Sequence, residues 1–255
     1  MVPDLSRPDV DLHARLAGGG SLLAELRLLM DLPVSAATPE EIRHWIVDEN
    51  LLAKRTQGGR LKAARKLRER YLLEPGKPVF SGFCSAWNAT EEASQQALLA
   101  YLLLGRQDGF FRLSACRWLT PRVRQPGTPL TPEDFGRFIE TLAETHDAVA
   151  AWGATTRVRV AQHFLTAARD FGLASGKAKK VSVRPTVGPI VTWYCARLSL
   201  SQGLSPRDAL TGDWFAMLGL DLAEAVSALY AMAASGLGRF RVEGQVVELD
   251  PFPLR

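Results

Sequence analysis

At Ser21, Thr38, Thr131 and Ser205 a hydroxyl residue stands just before a helix-compatible run, and at the last three a proline follows directly. A Ser or Thr in that place accepts a first-turn N–H that the helix itself leaves unpaired. Proline at the first helical position lacks an N–H that would have no partner anyway, and its fixed φ suits the helix. Thr38-Pro39-Glu40-Glu41 adds a glutamate three residues beyond the cap, the reciprocal arrangement of a capping box. Signals of this kind, recurring along the chain, predict a fold made mostly of helices.

The runs behind the caps have the period that this requires. Leu22, Leu23, Leu26, Leu29 and Met30 recur at helical spacing after Ser21, read as an N-cap, and Pro33 follows that helix. A second helix from Thr38 buries Ile42, Trp45 and Ile46. A third, after Gly58-Gly59, has Leu61, Ala64, Leu67 and Tyr71 on its apolar stripe. EPGKPVFSGF reads as a loop, Thr90 as the cap of a helix through Ala97, Leu98, Tyr101 and Leu102, and Gly109–Leu119 as another helix. PRVRQPGTPLTP reads as a loop by its proline and glycine content. Helices are then predicted from Thr131 to about Ala150 and from Thr155 or Thr156 to Phe171. KKVSVRP is short and β-branched and predicts a strand. Further helices follow over Val187–Arg197, from Ser205 and over Asp221–Ser235, and GRFRVEGQVVELD alternates apolar and polar residues as a hairpin does. A helix followed by a hairpin is the order of a winged helix. The organisation expected is an extension over 1–17, a helical domain over 18–130 containing the basic helix, and a helical domain over 131–255 with winged-helix character.

With 47% hydrophobic and 23% charged residues the chain can bury a substantial core, so disorder is not expected. The longest apolar runs, Ala97–Leu104 and Val226–Ala234, fall well short of the roughly 18 residues of a membrane span. The first residues mix acids and bases where a signal peptide needs an apolar stretch. A cytoplasmic protein without a membrane partner is the expectation. Cys84, Cys116 and Cys195 lack CxxC spacing and neighbouring histidines, so they read as buried thiols, and no metal or cofactor is expected. Nor is there a phosphate loop, a nucleophile elbow, HExxH or a GxGxxG after a strand, which points away from an enzyme.

The net charge of +4 is only mildly basic, so its distribution carries the information. Lys54, Arg55, Arg60, Lys62, Arg65, Lys66, Arg68 and Arg70 stand against the single acid Glu69. Like charges at i,i+4 repel by a few tenths of a kcal/mol, and phosphates would relieve that repulsion. The competing explanation is a solvated face balanced by Asp48, Glu49, Glu91 and Glu92 from elsewhere in the fold. A second basic set is Lys177, Lys179, Lys180 and Arg184, placed as in a wing, and a third is Arg239 and Arg241 on one face of the terminal hairpin.

The order of these segments resembles a known family. GGGSLLAELRLLMDL, then EEIRHWIVDENLLAKRT with its run Ile46–Arg55, then a basic helix, look like the amino-terminal signature of the BrxA family of BREX bacteriophage-defence systems. ATTRVRVAQHFLTAARDFGL, the strand near Val181–Val183 with Pro185, and the helix ending in GLGRFRVEGQVVELD keep the family's order, whereas Pro75–Asn88 and Arg106–Thr131 show no likeness to it. The resemblance implies a non-enzymatic helical protein that binds DNA and works beside a methyltransferase, a phosphatase-like protein and an ATPase. It also implies likeness to a helical RNA-binding antitermination factor. Double-stranded DNA held through its phosphates is the expected ligand; RNA binding, or an assembly protein whose basic helix docks on an acidic partner, is the alternative.

Overall fold

A computed structural model describes residues 12–71 and 73–254. Most of the expected extension therefore lies outside the described residues. The capping chemistry is where the sequence puts it at three sites. Thr38 opens α2 (Pro39–Val47), its hydroxyl accepting from the Glu41 N–H at 3.2 Å while its own N–H donates to the Glu41 carboxylate at 2.7 Å. Thr131 caps α8 (Pro132–Ala143) and Ser205 caps α12 (Pro206–Leu210), each accepting an N–H three residues on. The helix expected to run on to about Ala150 stops at Ala143, and a separate short α9 (Asp147–Ala150) follows. α13 (Asp213–Met217) is also short, and a second capping box, Asp221 with Glu224, starts α14 (Leu222–Ala234).

Ser21 corrects the pattern. α1 runs over Leu23–Met30, and its N-cap is Leu22 in the left-handed region at φ 59°. Ser21, one residue earlier, still accepts the Leu23 N–H at 3.3 Å and is also a buried tie: its hydroxyl donates to Asp170 at 2.7 Å, and its carbonyl accepts from the Tyr71 hydroxyl at 2.6 Å. It thereby joins α3 (Gln57–Tyr71) to α10 (Ala154–Asp170).

The segment predicted as a loop over EPGKPVFSGF enters α4 (Pro78–Asn88), where Phe80, Phe83, Cys84 and Trp87 form one buried stripe. α5 (Ala93–Gln107) is buried nearly all round and is the central helix, contacting α3, α4, α6 (Gly109–Ser114) and α11 (Pro189–Ser201). Its N-cap is Glu92, and Thr90 instead accepts the Glu92 N–H. A π-helical turn, Ala115–Leu119, links α6 to α7 (Thr120–Val123). The chain then forms a strand that the proline-rich sequence did not predict, β1 (Pro129–Leu130). It pairs antiparallel with β3 (Lys180–Ser182), which pairs in turn with β2 (Ala174–Ser175), in the order β1-β3-β2. The terminal hairpin is β4 (Gly238–Glu243) with β5 (Val246–Pro251), following α14 as expected.

The core runs without a break across residue 130, because α8 packs on α10, and α10 on the 3-10 turn Arg15–Gly18. An aromatic cluster lies at this junction. Phe164 of α10 stacks on Phe135 of α8 at 4.3 Å between ring centroids, and Phe111 and Trp118 from the preceding half meet the same ring at 5.4 and 6.0 Å. All six tryptophans join the core or its edge, and Trp87 is buried. Cys84 and Cys195 are buried and Cys116 half-buried; burial pushes all three thiols up, Cys84 to about 12. No single helix among the described residues is long and apolar enough to cross a membrane.

Candidate nucleic-acid interface

Sequence periodicity put Leu61 and Ala64 on the buried stripe of α3, and the fold rotates that stripe. The buried residues are Ala63, Leu67, Arg70 and Tyr71, while Leu61 is 42% exposed. Burial of an arginine rather than a leucine follows from a partner distant in sequence. The Arg70 guanidinium reaches the Gly19 carbonyl at 2.6 Å, closing the triple-glycine segment under α3, and burial lowers its pKa. Gly18 and Gly19 lie close below the Lys66 side chain, whose end a Cβ at Gly18 would meet at 3.2 Å. Glycine here serves close packing of chain against helix.

The eight bases of this segment therefore divide by use. Lys54 pairs with Glu25 at 3.0 Å. Arg60 donates to the Val47 carbonyl at 3.2 Å, fastening the end of α2, and Arg70 is buried. Arg55, Lys62, Arg65 and Arg68 are exposed, and Lys66 is half-buried at their edge. Glu69 lies 3.7 Å from Arg65, an exposed i,i+4 pair that stabilises by only about 0.3–0.5 kcal/mol. Lys66 has its pKa lowered, first by burial and then by Arg70, Lys62 and Arg65 around it. The acids proposed to balance the helix do not reach it. Asp48 and Glu49 pair with His44 of α2 at 3.0 and 3.3 Å, and no ion pair joins Glu91 or Glu92 to α3 among the described residues.

The second basic set splits as well. Lys177 and Lys179 are exposed on the turn between β2 and β3, which Gly176 starts at φ +90° with the Lys179 carbonyl 2.0 Å from where a Cβ would stand. Only glycine fits there, so the turn's shape is fixed. Lys180 donates to the Lys177 carbonyl at 2.9 Å, and Arg184 is held by Glu224 and the Gly219 carbonyl.

Arg239 and Arg241 do emerge on one exposed face of the hairpin, but not as free cations. The register sets Arg239 opposite Asp250 and Arg241 opposite Glu248, and Arg241 also pairs with Glu243. Arg241 is thus ion-paired along its own strand, and the Arg239 guanidinium lies over the Phe252 ring, 5.7 Å from its centroid. Arg43, exposed on α2 beside Arg65 and Arg68, is a cation that the sequence reading missed, because a lone arginine in a helix carries no signal until its neighbour is known.

The fold has a solved counterpart. A crystal structure of an uncharacterized protein from Magnetospirillum magneticum superposes with a TM-score of 0.60 at 15% identity, covering 75% of this chain and 94% of that one. That likeness concerns the fold alone. No curated protein matches the chain. The model of the BrxA family matches residues 12–195, a span that takes in α3, the β1-β3-β2 sheet and the first half of α11; it runs through Pro75–Asn88 and Arg106–Thr131, where the sequence offered no likeness to the family, and ends before the terminal hairpin. With most of the chain matched and its basic helix inside the match, the protein belongs to the BrxA family.

Proposed function

We propose that the protein is a non-enzymatic component of a BREX phage-defence system that binds double-stranded DNA in the cytoplasm, mainly through phosphate contacts. One observation carries this reading: once every local pairing is made, Arg55, Lys62, Arg65, Lys66 and Arg68 still lie at the surface around α3, and the exposed Arg65–Glu69 pair is the one ion pair among them in the described residues. Such crowding costs folding free energy unless an anion relieves it, and a phosphate backbone presents anions in a row. Lys177 and Lys179, on a turn whose shape glycine fixes, are suited to flank a backbone as a wing does. The protein's part is then to position DNA for the methyltransferase, phosphatase-like protein and ATPase of the system.

A mobility-shift series with DNA and RNA duplexes of matched length tests this. Retardation of DNA at low salt is expected; no retardation of DNA, or retardation of RNA alone, would remove the reading. In the same assay, replacing Arg239 and Arg241 by alanine should change affinity by less than about twofold, because each already faces an acid. A large loss in that variant would transfer the interface to the hairpin.

A further inference from the structure

α3 is the most polar long helix of the fold, yet it leaves a leucine in solvent. Leu61 stands on the exposed arc with Arg65 and Arg68, on the side turned toward α2. Between the two helices runs a groove of 350 Å³. Ile42 and Ile46 of α2 and Leu73, all buried, line it together with half-buried Ala64 and exposed Leu61. Arg43, Arg65 and Arg68 also line it, with Glu40 as the sole acid among the lining residues. Arg43 and Arg68 have no ion-pair or hydrogen-bond partner among the described residues, and Arg65 has only the exposed Glu69.

A duplex explains the arginines but not the groove, since phosphates and sugars gain nothing from an aliphatic lining. An amphipathic helix explains both. Its apolar stripe fills such a groove through residues at i, i+3, i+4 and i+7, and acids flanking the stripe meet the three arginines. We infer that the α2–α3 groove docks an acidic amphipathic helix of a partner protein, with Leu61 as the apolar anchor and Arg43, Arg65 and Arg68 as the ionic rim. This goes beyond DNA binding and does not depend on it. Where both occur they exclude one another, because Arg65 and Arg68 serve both.

The probe is a fluorescein-labelled synthetic helix with leucines at that spacing and glutamates beside them, titrated by anisotropy against the full chain. Two control peptides are used, one with the leucines scrambled at the same charge and one with lysines in place of the glutamates. The patterned acidic peptide should bind, the scrambled one at least about tenfold more weakly, and the basic one not measurably. Leu61→Gln should weaken the patterned peptide about tenfold while leaving duplex affinity within about twofold, and Leu61 is exposed enough that helicity and melting should not change. Arg65→Ala with Arg68→Ala should weaken peptide and duplex together. Failure of the patterned peptide to bind, equal binding of patterned and scrambled peptides, or indifference to Leu61→Gln would each overturn the inference.

Discussion

Replacing Arg65, Lys66 and Arg68 together by alanine is expected to weaken binding to unrelated DNA duplexes by on the order of 10²-fold at 0.1 M salt. The slope of log affinity against log salt should become shallower by roughly two to three, since each phosphate contact contributes about 0.9. The three residues are chosen by their surroundings. Arg68 has no ion-pair partner among the described residues, Arg65 has only the weak pair with Glu69, and Lys66 is crowded by three positive neighbours. Alanine is the best helix former, so α3 should persist, and unchanged far-UV circular dichroism is the control. An unchanged affinity and slope in this variant, with the wild type still binding, would place the contacts on the Lys177–Lys179 turn instead.

Phe164→Ala is expected to lower stability by about 3–5 kcal/mol, and the melting midpoint by roughly ten degrees or more. Phe164 is fully buried and meets Phe111, Trp118 and Phe135, so its removal opens a cavity that side chains from three elements line. Those neighbours come from both sides of residue 130, and the continuous core predicts one transition seen alike by tryptophan fluorescence and by circular dichroism. A loss below about 1 kcal/mol in denaturant titrations would show that the cluster contributes little to the junction.

Local chemistry was legible in the sequence. Thr38, Thr131 and Ser205 cap helices in the structure because their partners lie three residues away in the chain. α4 was hidden because Gly82 and the flanking prolines interrupt the Phe80, Phe83, Cys84 and Trp87 stripe. β1 was hidden for another reason: it is two residues long and exists only through its pairing with β3, which no local pattern encodes. Charge followed the same division. The density of bases around α3 could be counted, whereas the roles of Lys54, Arg60 and Arg70 depend on Glu25, the Val47 carbonyl and the Gly19 carbonyl, all remote in sequence. The rotation of α3 that exposes Leu61 has the same origin, because Arg70 gains a buried carbonyl partner that periodicity does not anticipate. At the hairpin, alternation correctly placed Arg239 and Arg241 on one face, while the acids opposite them followed only from the register.

The claim that α3 presents a phosphate-binding surface is tested most directly by the salt dependence of the wild-type protein on a duplex of arbitrary sequence. Five surface cations around α3, Arg55, Lys62, Arg65, Lys66 and Arg68, set the expected footprint. Log affinity should fall linearly with log salt at a slope of about −3 to −5 from the surface around α3, reaching about −6 where Lys177 and Lys179 also contact phosphate, and little should change when the sequence of the duplex does. A slope near zero, or no complex at the lowest salt, would contradict it.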